Sequence, residues 1–168
     1  MVNILRSMGA GIKYINRSTL EIDTRFVRSH IVEHDLTKQL RASYYLIGAL
    51  IGRFHKAQVA MPGGCYLGLR PIDQHIKGLE ALGAEVTMEE NAMVNVKAEH
   101  LLGNSVYLDV VSVGATINVM LAAVKARGLT VIENAAKEPH IVDLANFLNT
   151  MGADVRGAGT DVIKIRGV

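Results

Sequence analysis

Tryptophan is missing from this chain of 168 residues and cysteine occurs once. A single thiol cannot close an internal disulfide, which removes the stapled secreted scaffolds and points to a reducing, cytoplasmic setting. The first fifteen residues hold no apolar stretch ending in a small-residue cleavage site, so no secretory signal is expected. No run reaches the roughly 18 apolar residues of a membrane span. The richest, "ASYYLIGALIGRF", is interrupted, and a soluble protein without a membrane partner is expected. Aromatic residues are scarce, at 5%, and the 18 Lys and Arg are scattered rather than gathered in a stripe with interleaved aromatics. A nucleic-acid partner is therefore not expected, although a few converging cations could still serve a small anion. What remains is 49% hydrophobic and 20% charged, a composition that excludes disorder and is enough to build the core of a single domain.

The chain repeats itself. "ILRSMGAGIKYI" from Ile4, "GLEALGAEVTME" from Gly78 and "FLNTMGADVRGA" from Phe147 each read as the end of an amphipathic helix, a Gly-Ala stop and a short strand. Gly9, Gly83 and Gly152 suit the left-handed position that closes a helix. Upstream of the last two stops, "RASYYLIGALIGRFHKAQVAMPGG" from Arg41 and "VGATINVMLAAVKARGLTVIENAA" from Val113 both read as a helix that is apolar nearly all round, a break and a β-rich run. Such a helix is buried on all sides. "SVYLDV", residues 105–110, supplies a leading strand for the last unit, and Pro71 and Pro139 open helices over 71–82 and 139–151. The expected architecture is α/β (α+β), built of βαβαββ units: the tail of a first unit over 1–40, a second over 41–104 and a third over 105–168. The chain reads as a truncated domain, because its first unit starts part-way through.

Each repeat serves as a control for the other. Eleven residues separate Val59 from Pro71 but only seven separate Val131 from Pro139, so the loop around Pro62, Gly63, Gly64, Cys65 and Gly68 is longer than the fold requires. A lone cysteine is often a small buried hydrophobe. Here a Gly-Gly loop, Arg70 and the helix start at Pro71 favour a thiolate and an anion site. His75 could face that loop or solvent, and Asp73 could be only a first-turn acid. "SVGAT", residues 112–116, offers either free helix N–H groups to a ligand or a simple serine cap. His30 and His34 would pair on a metal only in a helix, and their surroundings are β-rich, so no metal is expected. No nucleotide fingerprint is present, and the "NRS" sequon at Asn16 matters only in a secreted protein.

"MPGGCYLGLRPIDQHIKGLEALGAEV", "DVVSVGATINVMLAAV" and "VIENAAKEPHIVDLANFLNTMGADVRGAGTDVIKIRGV" closely resemble the UDP-N-acetylglucosamine 1-carboxyvinyltransferase family. The resemblance implies the inside-out α/β barrel of repeated units, helices inside sheets, and enolpyruvyl transfer from phosphoenolpyruvate to the 3-hydroxyl of UDP-N-acetylglucosamine in peptidoglycan synthesis. It implies no cofactor. By position it makes Cys65 the catalytic, fosfomycin-alkylated thiol and Arg41 and Arg70 the substrate cations. Arg70, Pro71, Ile72, Asp73 and Gln74 would line the nucleotide site, His75 would lie near the phosphate of phosphoenolpyruvate, and Ser112, Val113 and Gly114 would contact the diphosphate. Val110 stands where some members carry lysine. The family's N-terminal Lys-Asn pair and its second domain, with an aspartate base, have no counterpart in the chain. The isolated chain is accordingly expected to be inactive and prone to self-association. A non-catalytic binding unit, or a transferase like 5-enolpyruvylshikimate-3-phosphate synthase, is the alternative.

Overall fold

The structure, a computed structural model, describes residues 1–32, 34–37, 40–61, 72–90 and 92–168. Helix α1 (Val2–Ser7) leads into an antiparallel hairpin of β1 (Gly11–Asn16) and β2 (Thr19–Asp23). There follow β3 (Ile31–Val32), α2 (His34–Thr37), a 3-10 turn (Arg41–Tyr44) running straight into α3 (Tyr45–Phe54), β4 (Lys56–Ala60), α4 (Asp73–Ala81), β5 (Glu85–Met88) and β6 (Met93–Lys97). The remainder is β7 (Ser105–Tyr107), α5 (Val113–Ala123), β8 (Leu129–Glu133), α6 (Pro139–Thr150), β9 (Asp154–Arg156) and β10 (Val162–Arg166).

Two four-stranded sheets share one topology, β3-β4-β6-β5 and β7-β8-β10-β9. In each the first pair is parallel and the other two are antiparallel. This is the βαβαββ pattern twice. The leading strand of the second sheet, Ile31–Val32, lies upstream of Arg41, in the stretch read from sequence as the tail of the first unit. Two residues are too few for a period-2 pattern to register. Strand β7 stops at Tyr107 rather than Val110, because the chain turns off the sheet at Asp109, whose N–H donates to Gln74 Oε1 at 2.8 Å.

The repeated Gly-Ala stops behave as their spacing suggests. Gly9, Gly83 and Gly152 have φ of +100°, +86° and +99°. At each the following alanine N–H reaches back to the carbonyl five residues earlier (Leu5, Leu79 and Leu148), closing the same helix-ending turn three times.

The apolar helix α5 is the centre of the molecule. Ala115, Val119, Met120, Ala122 and Ala123 are fully buried, and so are the polar Thr116 and Asn118. Both polar groups find partners. Thr116 Oγ1 donates to the Ser112 carbonyl at 2.8 Å and accepts the Ala136 N–H at 3.1 Å. Asn118 Oδ1 accepts the Gly48 N–H of α3 at 2.7 Å, and its amide donates to the Gly114 carbonyl at 3.3 Å. Helix α3 lies on α5 backbone to backbone: a Cβ at Gly48 would come within 2.9 Å of Asn118 Cα, and one at Gly52 within 3.2 Å of the Leu121 carbonyl. Spaced four apart, these glycines occupy one helix face. Gly78 performs the same service for α4, where a Cβ would strike Val119 Cγ2.

Gly48→Ala is expected to cost on the order of 2–4 kcal/mol, since backbone on both sides must separate. Gly152→Ala, with nothing within 4 Å of the added Cβ, should cost only about 1–2 kcal/mol of left-handed strain. Urea denaturation of the two variants checks the ranking; equal losses would mean that the α3–α5 approach is looser than described.

Candidate functional site

Three chain segments bring their starts to one place. The 3-10 turn before α3 carries Arg41, the first turn of α4 carries His75, and α5 opens with residues 112–114. Together with Ala42, Tyr44 and Tyr45 they line a cavity of about 510 Å³. Thus Arg41, His75, Ser112, Val113 and Gly114, singled out from sequence, lie together.

Ser112 is the N-cap of α5, its hydroxyl accepting from the Ala115 N–H at 3.3 Å. Capping and ligand presentation are therefore compatible: the cap consumes the Ala115 donor, while the first N–H groups of α5 have no intrahelical acceptor and face the positive end of the helix dipole. An exposed guanidinium, Arg41, on the rim of the same cavity completes an environment that favours anions.

His75 is 7% exposed, not on a solvated helix surface. Burial first, and the Arg41 charge second, push its pKa down to about 4, with Asp73 pulling weakly the other way. The imidazole is consequently neutral at neutral pH, a hydrogen-bonding group rather than a second cation. Gly114 makes room for it: a Cβ there would lie 2.6 Å from Nε2. The Tyr44 ring packs against the imidazole at 6.0 Å between centroids. Among the described residues the buried Tyr44 hydroxyl and His75 Nδ1 have no hydrogen-bond partner, and burial pushes the Tyr44 phenol up to about 12.

The other named residues are placed differently. Ile72 is the buried N-cap of α4. Asp73 is exposed, its carboxyl held below the usual range chiefly by the Gln74 amide, which donates to it at 3.0 Å. Gln74 does not line the cavity. Its amide also donates to Asp109 Oδ2 at 3.2 Å, while Lys77 pairs with Asp109 Oδ1 at 2.6 Å. These contacts tie the segment between β7 and α5 to α4, so Gln74 positions the segment that delivers Ser112. Val110, in that segment, is 59% exposed. Cys65, Arg70 and Pro71 lie outside the described residues. Among the described residues no group of three or more His, Cys, Asp or Glu could hold a metal, and no helix is long and apolar enough to cross a membrane. Sequence reasoning passed over Tyr44 and Tyr45 as core, although their position one turn after Arg41 was a usable signal.

The sequence profile of the family described as EPSP synthase (3-phosphoshikimate 1-carboxyvinyltransferase) matches residues 1–168. The chain belongs to that family. Curated relatives include the UDP-N-acetylglucosamine 1-carboxyvinyltransferase of Clostridium botulinum (strain ATCC 19397 / Type A), 58% identical over 98% of this chain and 39% of that protein. The UDP-N-acetylglucosamine 1-carboxyvinyltransferase 2 of Listeria monocytogenes serotype 4b (strain F2365) is 58% identical over 100% of the chain and 39% of its own length. The chain therefore spans about two-fifths of these relatives, 39% in both cases. Among solved structures, the enolpyruvyl transferase NikO from Streptomyces tendae shares the fold with a TM-score of 0.83 at 22% identity, over 99% of this chain and 39% of that one. EPSP synthase from Acinetobacter baumannii follows at 0.74 and 20% identity, over 99% and 38%. These likenesses show the fold that the resemblance implied, built of the βαβαββ units read from the repeats.

The depressed His75 pKa has a consequence for stability. Its contribution is complete above the unfolded value near 6.5 and is lost as pH falls toward about 4, where the unfolded chain binds a proton that the folded one refuses. Thermal unfolding between pH 7 and pH 4 should show a loss on the order of 2–3 kcal/mol over that window, and His75→Gln should flatten it. A slope unchanged in the variant would assign the effect to other groups.

Proposed function

We propose that this chain supplies the part of an enolpyruvyl transferase that grips the anionic groups of UDP-N-acetylglucosamine and phosphoenolpyruvate. The observation that carries the reading is the convergence of Arg41, a neutral His75 and the open start of α5 on one cavity. The relatives' names support it. In the proposed reaction the sugar 3-hydroxyl forms a bond to C2 of phosphoenolpyruvate as C3 takes a proton. The tetrahedral adduct then loses a proton from C3, the C2–O bond to phosphate breaks, and inorganic phosphate leaves. Arg41 and Arg70 hold carboxylate and phosphate by charge-assisted bonds. The N–H groups at the start of α5 bind diphosphate oxygens, and His75 gives a neutral hydrogen bond where a second cation would overbind the product. Cys65, on the longer of the two equivalent loops, is the proton donor to C3 and the thiol open to fosfomycin.

The setting is the cytoplasmic, committed step of peptidoglycan synthesis. A purely binding role for the isolated chain is the second reading, supported by a cavity lined with groups that hold anions. Joined to the complementary part of the Clostridium botulinum relative, the chain should release phosphate from phosphoenolpyruvate only when UDP-N-acetylglucosamine is present. Release with shikimate 3-phosphate instead would favour the 5-enolpyruvylshikimate-3-phosphate synthase reading. In the same assembly fosfomycin should add one mass increment, abolished by Cys65→Ser, and Arg41→Ala should weaken substrate binding about tenfold or more, as expected for loss of a charge-assisted contact. An unmodified wild-type thiol in the active assembly would remove Cys65 from the mechanism.

A further inference from the structure

The two complete sheets match strand for strand, so each reports what the other's side chains are for. On β5 and β6 the paired same-face residues are Thr87 with Asn95 and Glu85 with Lys97. At the equivalent positions of β9 and β10 stand Arg156 with Lys164 and Asp154 with Arg166. The acid-base pair is kept, but the neutral pair has become two cations directly opposite one another. Across the other side of Lys164 is Val131, whereas Asn95 faces Gln58. The second sheet does place Lys56 opposite Lys97, but there Glu85 flanks Lys97 on its other side. Like charges set opposite on adjacent strands destabilise a sheet, and Thr87 with Asn95 shows that the fold does not need them at this pair.

These cations frame a recess. Leu129, Asp154, Arg156, Lys164 and Arg166 line a cavity of about 240 Å³ that shares no residue with the candidate functional site. Asp154 accepts from Arg156 Nε at 2.8 Å, which engages one guanidinium with the only carboxylate among the described residues that line the recess. Lys164 and Arg166 have no ion-pair partner among the described residues. Glu133, the next same-face acid on β8, stands opposite Val162 and does not line the recess. The recess thus holds three cations and one acid, with the exposed Leu129 as its apolar wall.

We propose that the outer face of the β7-β8-β10-β9 sheet is a second anion site, which binds a small multiply charged oxyanion of the phosphate or diphosphate class through Lys164, Arg166 and Arg156. Such a ligand removes the repulsion between the facing cations. The guanidinium of Arg166 offers a fork to two oxygens and Lys164 a point charge to a third, a donor set suited to phosphate rather than to a monoanion. The site is independent of the proposed enolpyruvyl transfer.

The test titrates pyrophosphate, and separately inorganic phosphate, into the 168-residue chain carrying Arg41→Ala, so that the first cavity contributes less. Sodium chloride at matched ionic strength is the reference. Saturable amide shifts in β8, β9 and β10 are expected, with a Tm rise of about 2–4 °C near saturation. The double variant R156T with K164N, which installs the second sheet's pair, should lose at least tenfold in affinity. Its Tm without anion should be no lower than the parent's, a readout that separates lost binding from lost folding. Lys164→Gln alone should weaken binding in the same direction. Shifts that never saturate, that sodium chloride reproduces, or that survive in the double variant would overturn the proposal.

Discussion

The closeness of α3 to α5 is the constraint on which the rest depends. Two helices touch backbone to backbone only where side chains are absent, and Gly48 and Gly52 supply that absence on one face of α3. Packing alone would leave the pair free to slide. The buried Asn118 side chain removes that freedom, because its carbonyl must accept the Gly48 N–H or remain unsatisfied in an apolar core. A polar residue in the most buried helix thus sets the register of the crossing. Helix α4 then lands on the same helix through Gly78 and Val119.

The cavity follows from that crossing. With α3, α4 and α5 locked by their middles, their starts emerge close together, and each start carries a different chemical group: a guanidinium, an imidazole and an open helix N-terminus. The imidazole shows how the packing tunes the chemistry. Gly114 leaves it room, Tyr44 covers it, and burial beside Arg41 keeps it uncharged. Placing one fixed cation and one neutral donor beside the helix start leaves the site attractive to anions without accumulating repulsion among its own groups.

Much of this was legible in the sequence because repetition amplifies weak signals. One Gly-Ala pair says little; three in the same context marked three helix ends, all found with positive φ at glycine. The all-apolar run from Val113 announced a helix without a polar face, and α5 is that helix. Arg41, His75 and residues 112–114, named from the resemblance, line one cavity. What stayed hidden depends on contacts distant in sequence. Ile31–Val32 becomes a strand only by pairing with β4, and nothing in two residues reveals that. Gln74 sits in the same motif as Asp73 and His75, and Asp109, thirty-five positions away, decides where its amide points. Asn118 reads as a mild flaw in an apolar helix until Gly48 lies beside it.

Amide hydrogen exchange at Gly48 tests the central claim directly. If the Asn118 side chain locks the crossing, the Gly48 N–H exchanges only with global unfolding, as slowly as the amides at the middle of α5, and Asn118→Ala speeds its exchange by about tenfold or more. Exchange at Gly48 as fast as at a fraying helix end, with α5 still protected, would contradict the account.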